Sequence, residues 1–140
     1  MINRLSFDHD HEQYLALLRQ LTDTPSVSKS EFNNRLREIY TNPHHNIFIM
    51  QTSDKIFATI TVLIEPKIIR GLSYVAHIED VVILDEFRGK GHGKVLVDYA
   101  IQYSKDQGCY KVILDCSDHM KAFYQKMGFK DKGLQMAIYF

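Results

Sequence analysis

The chain has no excess of either charge. Seventeen Lys and Arg residues stand against seventeen Asp and Glu in 140 residues, a formal net charge of zero with the histidines neutral. Neutralising a nucleic-acid backbone takes many unopposed cations, so no nucleic-acid partner is expected. No apolar run approaches the ~20 residues needed to span a bilayer. The opening MINRLSFDHDHE also lacks the apolar stretch that directs export. A soluble, cytoplasmic protein with no membrane partner is expected. Proline occurs only three times and no repeat or low-complexity block interrupts the chain. One domain over residues 1–140 fits the usual ~100–200 residues per domain. Hydrophobic residues at 45% and charged residues at 24% exclude wholesale disorder and provide for a core without metal or disulfide support.

Cysteine is scarce as well. Cys109 and Cys116 flank the run YKVILD. If that run is a strand, seven steps put the thiols ~23 Å apart on opposite faces, too far to pair. Two reduced thiols suit a cytoplasmic protein. His9, His11, His44, His45, His77, His92 and His119 form neither an HExxH nor a Cys-x-x-Cys pattern, so no metal site is expected.

Tyr14, Leu17, Leu18 and Leu21 recur at helical spacing after Asp8 and Asp10, either of which can serve as N-cap. Ser28 and Glu31 read as a capping box opening a second helix whose buried face is Phe32, Leu36, Ile39 and Tyr40. IFIMQ (47–51) and IFATITVLIE (56–65) read as a hairpin, with Pro66 ending its second strand. A third strand runs from about Leu72 to Leu84. The glycine-dense FRGKGHGK (87–94) then leads into a helix with an apolar face of Val95, Leu96, Tyr99, Ala100 and Tyr103, stopped by Gly108. YKVILD is expected to be the most buried strand. A short helix bearing Met120, Phe123, Tyr124 and Met127 ends at Gly128, and LQMAIYF is expected to be a terminal strand. Helices, antiparallel strands and then strand–helix–strand–helix–strand predict a mixed α/β fold around one sheet.

The sharpest feature is the strand–glycine loop–helix unit. Gly89, Gly91 and Gly93 lie where a strand hands over to a helix, with Arg88, Lys90 and Lys94 around them. Free first-turn N–H groups and a positive helix end bind a pyrophosphate there. Two nucleotide patterns fail. A P-loop needs Ser or Thr after Gly-Lys, and Val95 follows Lys94. The Rossmann spacing GxGxxG is absent, and the preceding strands read as antiparallel.

Arg88-x-x-Gly91-x-Gly93 resembles the pyrophosphate loop of the GNAT acyl-CoA-dependent N-acetyltransferases. HIEDVV (77–82), GCYKVILDC (108–116), FYQKMGF (123–129) and Met136 further resemble the glucosamine 6-phosphate N-acetyltransferases within that superfamily. The resemblance implies the GNAT fold, a central, mostly antiparallel twisted sheet flanked by four helices. It implies direct transfer of acetyl from acetyl-CoA, without a metal, to the 2-amino group of D-glucosamine 6-phosphate in a ternary complex. The product, N-acetylglucosamine 6-phosphate, leads to UDP-N-acetylglucosamine.

Residue by residue, the resemblance puts Glu79 and Asp80 beside the sugar and the backbone of Val81, Val82 and Ile83 along the pantetheine arm. It puts Arg88, Gly89, Lys90, Gly91, His92, Gly93 and Lys94 at the pyrophosphate, Tyr124 near the thioester sulfur and Asp115 beside cofactor and pocket. Thr22, Lys67, Ile68, Ile69, Arg70, Tyr110 and Lys111 match substrate-pocket positions. The chemistry suits these types. Glu79 is the first candidate for the base that takes the amine proton, with Asp80 orienting the amine or serving as the base itself. Backbone N–H groups after Asp80 meet the oxyanion and Tyr124 protonates the leaving thiolate. Lys67, Arg70 and Lys111 supply charge for the sugar phosphate.

Each residue also has a plainer reading. Strand alternation puts Glu79 and Asp80 on opposite faces unless a bulge re-aims one. Tyr124 sits on a helix stripe that suits a core, and Lys67 and Arg70 flank a turn as surface charges do. Met120 replaces a common CoA-contacting Asn, and His92 stands where an aliphatic residue is usual. Tyr139 offers a hydroxyl where relatives often carry a basic residue. Family members pair their terminal strands, so a homodimer is expected. A GNAT enzyme for another amine and a non-catalytic acetyl-CoA sensor are the rival readings.

Overall fold

The structure is a computed structural model describing all 140 residues. Five strands form one sheet in the order β1 (Ile2–Arg4), β2 (His45–Gln51), β3 (Ile56–Pro66), β4 (Tyr74–Ile83) and β5 (Cys109–Ile113). Every neighbouring pair is antiparallel except β4–β5, which is parallel. A parallel pair needs a crossover, and α4 (His92–Asp106) supplies it. Helices α1 (His11–Leu18) and α2 (Lys29–Tyr40) precede β2, and the short α5 (Lys121–Gln125) follows β5. A single turn, α3 (Ile69–Leu72), joins β3 to β4.

Local sequence explains the helix starts. Asp10 accepts from the backbone N–H groups of Glu12 and Gln13, so it, not Asp8, caps α1. Ser28 and Glu31 exchange both bonds of the capping box at α2. β3 sets the two-sided core by alternation. Ile60, Val62 and Ile64 pack with Leu96, Val97 and Ala100 of α4 and Tyr124 of α5. On the other face Tyr14, Leu17 and Leu36 of α1 and α2 pack on Ile47, Ile49 and Val82.

Three expectations need correction. The buried face of α4 is Leu96, Val97, Ala100 and Ser104, while Val95 is 52% exposed. Ser104 hides because its hydroxyl donates to Ala100 O within the helix, at 2.7 Å. Tyr99 and Tyr103 instead pack edge-on against Phe48. The run YKVILD is not the most buried strand: β5 is the sheet edge, and Tyr110, Lys111 and Ile113 are exposed. LQMAIYF forms no strand, because no edge of its own chain pairs with it. The short β1, paired with Phe48–Met50 of β2, was not anticipated.

Ile60 is fully buried between β3 and α4. Ile60→Ala is expected to lower stability by about 2–5 kcal/mol and Ser28→Ala by about 1 kcal/mol, both read from denaturant midpoints at unchanged slope.

Candidate active site

The site is organised by one extra residue in β4. Thr59 pairs with Val82 and Thr61 with Glu79, so two steps on β3 oppose three on β4. Asp80 takes up the excess in the left-handed region, at φ 49°. This bulge inverts the face alternation of β4. Ile78 before it and Val81 and Ile83 after it all pack toward α4, whereas Val82 packs toward α1 and α2. Glu79 and Asp80, between Ile78 and Val81, therefore share the α1/α2 side. The alternation argument against a paired carboxylate fails for that reason. Burial raises the Glu79 pKa first, and the charges of Asp80 and Asp115 raise it further, against a smaller lowering by His77. Asp80 also lies near Tyr14, whose buried phenol is pushed up to about 12, and near His45, whose pKa burial lowers.

The same segment opens the sheet. Pairing of β4 with β5 runs from Tyr74–Cys109 to His77–Ile113 and stops. Leu84 N donates to Phe57 O, so its neighbour Ile83 turns its backbone groups toward the open side, where Arg88 Nε donates to Ile83 O at 3.1 Å. An extended chain can add itself along this free edge.

At the end of the opening stands the start of α4. Gly91 caps it in the left-handed region at φ 83° and offers no side chain to the first-turn N–H groups. Gly93 is needed for a different reason. A Cβ there would meet Phe123 Cζ at 3.1 Å and Ile83 Cδ1 at 3.2 Å. Absence of a side chain thus lets α5 and β4 close on the loop. The loop cations are already engaged: Arg88 with Asp85 at 2.7 Å, Lys90 with Glu86 O at 3.0 Å and Lys94 with Asp98. Backbone N–H groups are the free donors. His92 turns its ring against Phe57, at 4.9 Å between centroids, and away from the solvent side of the loop.

Tyr124 is 7% exposed and packs edge-on against Phe123 and Phe129. Burial, with a smaller effect of Cys116, raises its pKa, so the phenol is a proton donor at neutral pH. Tyr110, Lys111, Asp115 and Tyr124 line one groove of about 910 Å³ between β5, α5 and residues 129–135. The turn after β3 is left-handed at three successive residues, Arg70, Gly71 and Leu72, with φ of 55°, 70° and 61°. It holds Arg70 5.4 Å from the Tyr110 ring centroid, and Lys111 Nζ lies 5.6 Å from the same centroid. Lys67 pairs with Glu65 at 2.8 Å, and Glu65 also meets His77 Nε2 at 3.2 Å.

Other expected positions are not brought in. Ile68 and Ile69 are exposed on the turn. Thr22 lies in the α1–α2 connection, its N–H bonded to Leu18 O, and no hydrogen bond joins it to the carboxylates. Tyr139 is 94% exposed and makes no hydrogen bond, because the terminal segment stays off the sheet. Sequence reasoning missed Glu65 and His77. Both are charged or titratable residues inside otherwise apolar strands, a visible signal, but only the β3–β4 register brings them together.

An open β4 edge, a side-chain-free helix start and an acidic pair between them define an acyl-CoA-dependent transferase. The model of the acetyltransferase (GNAT) family matches residues 12–129, and the chain belongs to that family. It is 44% identical over 142 residues to the glucosamine 6-phosphate N-acetyltransferase of Arabidopsis thaliana, covering 99% of this chain and 95% of that protein. The Trypanosoma brucei brucei enzyme of the same name is 37% identical over 96% of this chain and 92% of its own length. The Arabidopsis thaliana glucosamine-6-phosphate N-acetyltransferase crystal structure superposes with a TM-score of 0.95 at 42% identity, covering 100% of this chain and 97% of that one.

Gly93→Ala must displace Phe123 or Ile83 by a few tenths of an ångström. Calorimetry with coenzyme A is expected to show weaker binding than in the unaltered protein, because the loop must shift with the displaced side chain. Unchanged affinity would show that the α4–α5–β4 contact does not shape the loop.

Proposed function

We propose that this chain is a glucosamine 6-phosphate N-acetyltransferase, passing acetyl from acetyl-CoA to the 2-amino group of the sugar by direct attack. The observation that carries the reading is the bulge at Asp80, which puts two carboxylates on one face beside the open β4 edge. The relatives named above support the choice of amine.

In this reading the pantetheine arm lies along Val81, Val82 and Ile83, and main-chain N–H groups at Gly91–Lys94 hold the pyrophosphate. Arg88 and Asp85 brace the loop. Glu79 takes a proton from the incoming ammonium and Asp80 orients the neutral amine. The nitrogen lone pair attacks the thioester carbon, and its oxygen gains charge beside the β4 backbone N–H groups. Collapse breaks the carbon–sulfur bond: the thiolate takes the Tyr124 proton, the cationic nitrogen loses its second proton to solvent water, and the tyrosinate is reprotonated from solvent as Glu79 releases its own proton, so that one net proton leaves. Burial suits Tyr124 to this by keeping it protonated until that moment. A raised Glu79 pKa makes it a stronger base than an ordinary carboxylate. Lys67, Arg70 and Lys111 hold the sugar phosphate.

The functional unit in this reading is a homodimer. Leu134, Met136, Ile138, Tyr139 and Phe140 expose their side chains on a segment with no partner strand, and β5 is an open edge. Both are liabilities in an isolated chain, and pairing terminal segments between two copies removes them. It also gives Tyr139 a route to a partner's pocket. The protein works in the cytoplasm, and its product feeds UDP-N-acetylglucosamine synthesis.

Three measurements test the reading. Thiol release from acetyl-CoA should depend on glucosamine 6-phosphate; turnover of a different amine and none of this one would reject the substrate. Glu79→Gln should lower kcat about a hundredfold or more at unchanged coenzyme A affinity, whereas Lys67→Ala should mainly raise KM for the phosphorylated sugar. Light scattering should give twice the chain mass, falling to one chain when residues 134–140 are removed. A full-length monomer would contradict the dimer.

The acid limb of the kcat–pH profile should lie above the ordinary glutamate value, because burial, Asp80 and Asp115 all oppose Glu79 ionisation. Asp115→Asn removes one of these charges and should move that limb to lower pH. A limb that stays in place or moves up contradicts the assignment of Glu79.

A further inference from the structure

We propose that Thr61 is a positioning residue for Glu79, its hydroxyl holding the carboxylate through one bridging water in the orientation the reaction uses. The inference rests on the reading of Glu79 as the base.

β3 is apolar from Ile56 to Ile64 except for two threonines, Thr59 and Thr61. Thr59 is fully buried, and its hydroxyl is committed to Phe48 O at 3.0 Å, with the Tyr14 hydroxyl 3.4 Å away. This accounts for a polar group at that depth. Thr61 has no such account. Its residue is only 5% exposed, yet its hydroxyl makes no hydrogen bond within the chain. It is not sealed in either, since the single buried side-chain atom without a partner is Asn33 Oδ1. The hydroxyl is therefore reached from the solvent side.

The register says what stands on that side. Thr61 pairs directly with Glu79 on β4 and with Ile47 on β2. Opposite residues in an antiparallel pair share a face, with Cβ atoms about 4.5–5.5 Å apart. Ile47 is covered by α1 and α2, and Glu79 is exposed. Thr61 thus lies where the covered part of this face gives way to the open acidic part. With no direct bond between hydroxyl and carboxylate, a single bridging water is the link the proposal assigns to them. The bulge makes the pairing specific. It lies on the next step of the ladder, so Thr61 is the last β3 residue in register before Asp80 breaks it.

A hydroxyl supplies both a donor and an acceptor. Donating toward Glu79 through water favours the ionised carboxylate and limits its rotamers; valine has the same shape and does neither. The other charges facing Glu79 are Asp80 and His77 on its own strand and Asp115 beyond β5. Glu65 and Lys67 reach it only through the His77 contact. None of them changes when Thr61 does.

The test uses Thr61→Val and Thr61→Ser in the full chain, with melting temperature as the folding check and Thr61→Ala as the substitute if valine unfolds the protein. The Glu79 carboxyl is titrated by carbon NMR in the free protein, and kcat and both KM values are measured across pH. Thr61→Val should raise the Glu79 midpoint by about half to one unit and lower kcat about five- to thirtyfold, with KM for acetyl-CoA within about twofold. Thr61→Ser should restore both. An unmoved midpoint in Thr61→Val overturns the proposal, and so does a loss of kcat that serine fails to rescue. If the midpoint moves but Glu79→Gln keeps full activity, the Thr61–Glu79 link stands and the reading of Glu79 as base fails.

Discussion

Two β3 steps set against three on β4 cannot be accommodated without a residue leaving the ladder, and Asp80 is that residue. A left-handed conformation in a non-glycine residue costs roughly 1–2 kcal/mol, so the surrounding structure must hold it. It does so on both sides. Val82 is anchored among Tyr14, Leu17 and Leu36, and Val81 and Ile83 against the α4 side. The strain is held in place by the packing of the apolar residues that follow the bulge, on both faces of the sheet. From this follows the shared face of Glu79 and Asp80, where burial first and the Asp80 charge second lift Glu79; beside it runs an edge of β4 with no β5 partner.

The loop into α4 completes the arrangement by leaving things out. Gly91 provides the turn, and Gly93 provides the contact of α4 with Phe123 and Ile83. Its cations are occupied by Asp85, Asp98 and the Glu86 carbonyl, so no long side chain crowds the helix end and its backbone N–H groups supply the positive potential. A helix start of this kind leaves its main-chain N–H groups unobstructed for an anion.

Much of this was legible in the residues. The capping box at Ser28, the glycine helix start and the end of α5 at Gly128 are local chemistry, and local chemistry is written in adjacent letters. The GNAT fold was readable through Arg88, Gly91 and Gly93. What was not readable depends on distant partners. YKVILD looks buried because it is apolar, but it is an edge in a single chain. LQMAIYF looks like a strand, yet nothing in its own chain pairs with it. The α4 face was misjudged at Val95 and Val97 because Ser104 counts as polar until its hydroxyl is seen to be satisfied inside the helix. Alternation argued against a Glu79–Asp80 pair, and only the register with Thr59 and Thr61 reverses that.

A crystal structure with an unreactive acetyl-CoA analogue and glucosamine 6-phosphate bound tests the central claim most directly. The account predicts the pantetheine arm hydrogen-bonded to the β4 backbone at Val81 and Ile83. It also predicts the sugar amine on the α1/α2 side, within one water of Glu79 and close to Asp80. An amine on the opposite face, or a β4 strand that loses its bulge when both ligands bind, would contradict it.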